Sequence, residues 1–230
     1  MAKKLICSPF AGAGASFYKS WQKYFSELDV IAIQLPGREQ LIDEKPYDSV
    51  DSAVSEIIKG LINEISKEDD IYFWGHCFLG GILSFEIARK LQSLGYEIKK
   101  LFLSAAAFPY SDRTYSLSNC PDDEIIEKME ELTGYTHPAF NVPELRELLI
   151  PALKADFRMD ETYYPNEKNI KINIPIDVII SNQDEFVSQE DVLAWETITT
   201  NEFSVHKVNG RHMYLSEKPE TCIEIIKNNI

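Results

Sequence analysis

The sequence predicts a three-layer α/β sandwich with a mostly parallel sheet and a helical insertion after the fourth strand. Three observations carry this. Short, almost continuously apolar runs recur along the 230 residues, as strands buried on both faces of a parallel sheet require. Segments with apolar residues at helical spacing fall between them, so strand and helix alternate. One long stretch, 108–165, contains no strand pattern.

The elements follow in order. Residues 4–10 form the first expected strand and enter a loop of small residues. A helix over 16–28 follows, with Ser16 at its N-cap, and then a strand over 29–35. Residues 49–66 place Val50, Val54, Ile57, Ile58, Leu61 and Ile65 on one helical face. A strand over 71–76 leads into a glycine-flanked turn and a helix over 80–94 that stops at Gly95, a C-terminal stop signal. The next strand is 99–106. The insertion holds amphipathic segments at 121–133 and 143–160. One apolar face carries Ile125, Ile126 and Met129, the other Leu145, Leu148, Leu149 and Leu153. Its place in the chain reads as a mobile lid over a site; the alternative is helices packed on one sheet edge. Strands 176–181 and 203–208 and helices 189–199 and 217–229 complete one domain, 1–230.

Composition narrows the function. The net charge is 23 − 37 = −14, which argues against nucleic acid and anionic membranes as partners. No apolar run is long enough to span a bilayer and no signal-peptide pattern precedes the first strand. A cytoplasmic location is expected, with Cys7, Cys77, Cys120 and Cys222 reduced. These cysteines form no CxxC pair and no zinc spacing, so no metal is expected.

The turn after the third strand reads Gly75-His76-Cys77-Phe78-Leu79-Gly80. It resembles the G-x-S-x-G nucleophile elbow of the α/β-hydrolases, which lifts a nucleophile to the top of the sheet beside a helix N-terminus. Cysteine replaces serine, and one extra residue precedes the next glycine. Aligning the helix through Gly80-Gly81-Ile82-Leu83-Ser84-Phe85 would give the nucleophile's slot to Phe78, which cannot serve. The extra residue is therefore expected as a bulge, with Cys77 at the apex. The alternative is an inert buried cysteine in an elbow that has lost activity.

A cysteine nucleophile needs a base and an acid that orients it. The α/β-hydrolase resemblance implies the chain order nucleophile, acid, histidine. Asp184, in the polar turn after strand 176–181, is the favoured acid; Glu185 competes, and a solvated turn acid is the ordinary alternative. His212 lies just beyond the last strand, where the base belongs. His206 reads as structural or exposed. His137 could line substrate but suits a turn, and the His76 side chain should point inward. The loop Ser8-Pro9-Phe10-Ala11-Gly12-Ala13-Gly14-Ala15-Ser16 suits an oxyanion hole, with the N–H groups of Ala11 and Phe78 as donors. A loop of this kind could equally cradle phosphate, although it lacks the P-loop Lys-Ser/Thr and a third glycine at dinucleotide spacing.

Several further segments resemble type II thioesterases of nonribosomal peptide and polyketide assembly lines, in one order over nearly the whole chain. They are Pro9-Phe10-Ala11-Gly12-Ala13, Pro36-Gly37-Arg38, Pro151-Ala152-Leu153-Lys154-Ala155-Asp156-Phe157 and Gly210-Arg211-His212-Met213-Tyr214-Leu215. The resemblance implies an α/β-hydrolase fold with a helical lid and a triad of Cys77, Asp184 and His212. It implies cleavage of acyl groups held as thioesters on the phosphopantetheine of an acyl or peptidyl carrier protein, with no cofactor of the enzyme's own. A monomer is expected. Such carriers are commonly acidic, so docking would need a local basic or apolar patch. That family normally reads G-H-S-[ML]-G-[GA] at the elbow. A cysteine there gives a thioester intermediate, which keeps its transfer potential and suits acceptors other than water; its thiol, of ordinary pKa ~8.5, could ion-pair with His212. Three readings remain: a thioester hydrolase, an acyltransferase or cyclase, and a non-catalytic protein that holds a carrier-bound chain.

Overall fold

The computed structural model describes residues 1–113 and 115–230. Among the described residues six strands form one sheet: β1 (Lys3–Ser8), β2 (Leu28–Ala32), β3 (Asp70–His76), β4 (Ile98–Ser104), β5 (Ile176–Ser181) and β6 (Phe203–Val208). The order is β2-β1-β3-β4-β5-β6, and every pairing is parallel. Parallel neighbours need crossovers. These include α1 (Ala15–Lys19), α2 (Val50–Leu61), α3 (Cys77–Ser93) and α6 (Gln189–Ala194). Between β4 and β5 lie α4 (Ile125–Thr133) and α5 (Pro143–Thr162); α7 (Tyr214–Glu217) and α8 (Pro219–Asn228) end the chain.

The alternation of side chains along a strand explains the continuous apolar runs. Ile6, Phe73 and Leu103 join one core layer with α2, α3 and α6 residues such as Ala53, Leu83 and Val192. Their neighbours Leu5, Trp74 and Phe102 join the opposite layer with Tyr18 of α1 and Ile223 of α8. Both faces are covered, so polar alternation disappears from the sequence. A third cluster, including Ile125, Met129, Phe140, Ile150, Leu153 and Phe157, sits within the insertion. Among the described residues no helix is long and apolar enough to cross a membrane.

The expected helix over 16–28 is corrected. α1 begins at Ala15 with Gly14 at the N-cap, and a 3₁₀ turn, Ser20–Tyr24, replaces its second half. Ser16 does not cap the helix, because Glu39 accepts from both its N–H and its hydroxyl. The tighter turn lets the Gln22 amide donate to the carbonyls of Phe25 and Leu28 while its oxygen accepts from the Val30 N–H. The first strand ends at Ser8 rather than at residue 10. In the insertion, Leu149 and Leu153 turn inward, whereas Leu145 and Leu148 are exposed to solvent. The expected apolar face is therefore split.

Candidate active site

The elbow is built by glycines. Cys77 follows β3 directly with φ +61°, a left-handed conformation that costs a non-glycine residue energy and often marks functional turns. A Cβ on Gly75 would collide with the Gly80 carbonyl oxygen and meet Gly81 Cα at 2.8 Å. Gly81 likewise faces Ala106. The expected bulge is not a separate feature, because α3 starts at Cys77 itself. The extra residue is taken up in the first helical turn, and the glycine that faces Gly75 is three positions beyond the cysteine.

The structure brings Cys77, Asp184 and His212 together. His212 Nε2 lies 3.2 Å from Cys77 Sγ, and its Nδ1 lies 2.9 Å from Asp184 Oδ2. The other Asp184 oxygen accepts from the N–H groups of Phe186 and Val187 at 2.8 and 3.1 Å. The carboxylate is thus fixed by its own turn, an Asx-type arrangement. Glu185 is exposed and does not take this position. His212 is 2 % exposed and flanked by Phe186, with ring centroids 5.1 Å apart. Burial alone would lower the His212 pKa; the Cys77 thiolate and the Asp184 carboxylate outweigh it and push it up to about 10.

Cys77 opens onto a cavity of about 320 Å³. Its apolar walls include Phe10, Met129, Phe140, Leu149, Phe157 and Met213, so α4, α5 and the first loop all contribute. Ala11 lines this cavity. Phe78 is the next residue of α3, where backbone N–H groups lack intrahelical partners; its ring is buried beneath the Arg113 guanidinium, 3.6 Å from the ring centroid. The neighbouring Gly12 N–H donates to Asp156 at 2.8 Å, so a carboxylate occupies the position a phosphate reading would need.

The other histidines separate by environment. His206 Nε2 contacts Asp177 at 2.8 Å, a structural pair on β6 and β5. His137 Nδ1 accepts from the Ala139 N–H and also lines the cavity, so it is both turn residue and wall. His76 points inward as expected. Its Nδ1 lies 2.9 Å from Ser104 Oγ, and burial, then the nearby His212 charge, holds its pKa well below the usual value. Ser104 in turn meets the Tyr214 hydroxyl at 2.6 Å.

Sequence reasoning missed what Arg38 and Asp156 do, although both lie in quoted motifs. Arg38 Nη1 and Nη2 donate to the two Asp156 oxygens at 2.6 and 2.7 Å. Glu39, with φ +49°, is a further cavity residue that no motif marked.

A sheet-borne elbow, a histidine between thiol and carboxylate, and an apolar cavity are parts that acyl transfer of the hydrolase type uses. Comparison with known proteins agrees. The family model described as "Thioesterase domain" matches residues 3–230. The gramicidin S biosynthesis protein GrsT of Aneurinibacillus migulanus is 33 % identical over 97 % of this chain and 87 % of its own length. Thioesterase TesA of Mycobacterium marinum is 30 % identical over 97 % of this chain and 90 % of its own. The structure of the type II thioesterase BorB from the borrelidin biosynthetic cluster superposes with a TM-score of 0.90 at 29 % identity, covering 100 % of this chain and 93 % of that one. The chain belongs to the thioesterase family, with the α/β-hydrolase fold, and is a type II thioesterase, a hydrolase.

Proposed function

We propose that this thioesterase clears acyl groups held as thioesters on the phosphopantetheine of an acyl or peptidyl carrier protein in peptide or polyketide biosynthesis, through a covalent acyl-enzyme on Cys77. The observation that carries this is the 3.2 Å approach of Cys77 Sγ to His212 Nε2 at the wall of an apolar cavity. The matched gramicidin S and borrelidin proteins supply the biosynthetic setting.

Nδ1–H of His212 donates to Asp184, which leaves Nε2 to take the Cys77 proton. The thiolate attacks the thioester carbonyl, and the oxyanion is received by the N–H groups of Ala11 and Phe78. Collapse expels the pantetheine thiolate, which recovers the proton from His212. Water, deprotonated by His212, attacks the acyl–Cys77 thioester; the acid leaves and the Cys77 sulfur is reprotonated. In this reading α4 and the outer half of α5 act as the lid, within residues 108–165. Exposed Val142, Leu145 and Leu148 supply an apolar patch of the sort carrier docking needs.

One observation favours a second reading. With sulfur at the elbow, the acyl-enzyme is itself a thioester, which an amine or alcohol can take up in an acyltransferase or cyclase. A non-catalytic carrier-binding role is the third. Ser104 beside His76 pairs a hydroxyl with an imidazole, but both residues are 0 % exposed and neither is among the residues described as lining the cavity. The test is turnover of an acyl-pantetheine thioester with and without an added amine. Free acid in both arms supports hydrolysis, amide in the amine arm supports transfer, and no turnover supports binding alone.

A further inference from the structure

Two separated segments, the first loop and Gly37-Arg38, converge on one stretch of α5. Gly12, in the first loop, donates its N–H to Asp156, and a Cβ there would meet Leu153 Cδ1 at 3.1 Å. A Cβ on Gly37 would meet Ala152 Cβ at 3.2 Å. Arg38 grips both oxygens of Asp156 and donates to the Ala13 carbonyl at 3.1 Å. Arg38 is 3 % exposed and Asp156 is fully buried.

The first loop depends on this support. The Ala13 N–H donates to Phe10 O at 2.9 Å, and Gly12 has φ +78°. Together these make a type II turn with Ala11 and Gly12 at its centre. Ala11 thus shares a four-residue turn whose N–H at Gly12 and C=O at Ala13 are both tied to the ion pair. Oxyanion donors must be held to within about 0.5 Å of the productive position; Phe10 anchors the start of the turn against Phe17, Tyr18 and His76, but Ala11, Gly12 and Ala13 have no bulky side chains with which to hold the rest.

We infer that Arg38 and Asp156 are positioning residues that fix the Ala11 N–H for the oxyanion, and that through Asp156 the helix covering the cavity and the oxyanion loop form one mechanical unit. This rests on the proposed roles of Cys77 and Ala11. Arg38 and Asp156 touch no reacting atom in this account and act through the turn. Losing the pair would weaken a contact made mainly in the transition state, so kcat falls while substrate binding persists.

The experiment compares the intact wild-type enzyme with Asp156→Asn and Asp156→Ala. Acyl-pantetheine hydrolysis gives kcat and KM, and iodoacetamide labelling of Cys77, mapped by peptide mass, gives nucleophile reactivity without any oxyanion. Asp156→Ala should lower kcat ~10²-fold, the scale of one lost oxyanion donor, with KM and the labelling rate near wild type. Asp156→Asn keeps an oxygen for the Gly12 N–H, so kcat should recover part of the loss; it also carries the test if the alanine variant does not fold. Wild-type kcat in folded Asp156→Asn and Asp156→Ala would overturn the inference. So would kcat and labelling falling together, since that marks a general loss of structure. If wild-type Cys77 resists labelling, the nucleophile assignment fails instead, a separate result from any change in kcat among the variants.

Discussion

Cys77 and His212, 135 positions apart in the chain, meet at 3.2 Å between sulfur and Nε2. The approach depends on the strained cysteine backbone at the end of β3 and on the loop after β6. Neither residue is placed by its immediate neighbours alone.

The first prediction concerns the charge of that pair. His212 titrates high because the thiolate and Asp184 outweigh its burial. Its folded-state value, about 10, lies above the ordinary 6.5. The stability it contributes is therefore complete below about 6.5 and is lost as pH rises through about 10. Cys77→Ala removes the thiolate, so the His212 ring resonance, followed by NMR, should titrate at lower pH. An unchanged titration would mean that the sulfur carries no charge beside the ring.

The proposed orienting acid gives a second expectation. His212→Ala should reduce kcat ~10³-fold or more, the scale for removing the base that activates a nucleophile. Asp184→Asn should cost less, because a thiol depends less on the acid than a hydroxyl does. Exposed Glu185 predicts near wild-type kinetics for Glu185→Gln. A larger loss in Glu185→Gln than in Asp184→Asn would reverse the assignment.

Two glycines predict opposite signs of stability change. Gly75→Ala drives a methyl into backbone atoms of α3 and should cost about 3 kcal/mol, the upper range for overpacking. For a chain of this size that lowers Tm by roughly 6–12 °C. Gly60, within α2, has nothing within 4 Å of an added Cβ, so Gly60→Ala should stabilise by about 0.5–1 kcal/mol. Thermal melts of both variants decide it; equal shifts would contradict the packing at the elbow.

The proposed lid should not move as one piece. Ile150, Ala152, Leu153, Asp156, Phe157 and Met159 are buried, while Leu145 and Leu148 are exposed. Hydrogen exchange should be fast in α4 and in 143–149, and slow in 152–159. Protection throughout 125–162 equal to that of β3 would make the insertion a fixed layer of the core.

These particulars also show what the sequence made legible. β5 and β6 have the bounds expected of them: β5 from a largely apolar run, and β6 from the alternation Phe-Ser-Val-His-Lys-Val, each ending at a polar turn. Cys77, Asp184 and His212 were expected together from the chain order that the elbow resemblance implies, and the structure brings the three side chains within contact. Asp184 was favoured over its neighbour Glu185 from the sequence, and the coordinates place Asp184 against the imidazole while Glu185 is exposed. The end of α1 was hidden because Gln22 satisfies backbone groups on later residues. Arg38 and Asp156 were hidden for a stronger reason: they are 118 positions apart, and no local periodicity links a turn arginine to a helix aspartate.

The proposed hydrolysis passes through a covalent acyl-enzyme on Cys77. The direct measurement is mass spectrometry of the protein quenched during turnover of an acyl-carrier thioester, with the adduct mapped to a peptide. An added acyl mass is expected on the peptide carrying Cys77, absent from Cys77→Ala, whose turnover drops ~10³-fold, the scale expected when the covalent route is removed. An adduct on the peptide carrying Ser104, or wild-type hydrolysis by Cys77→Ala, would contradict it.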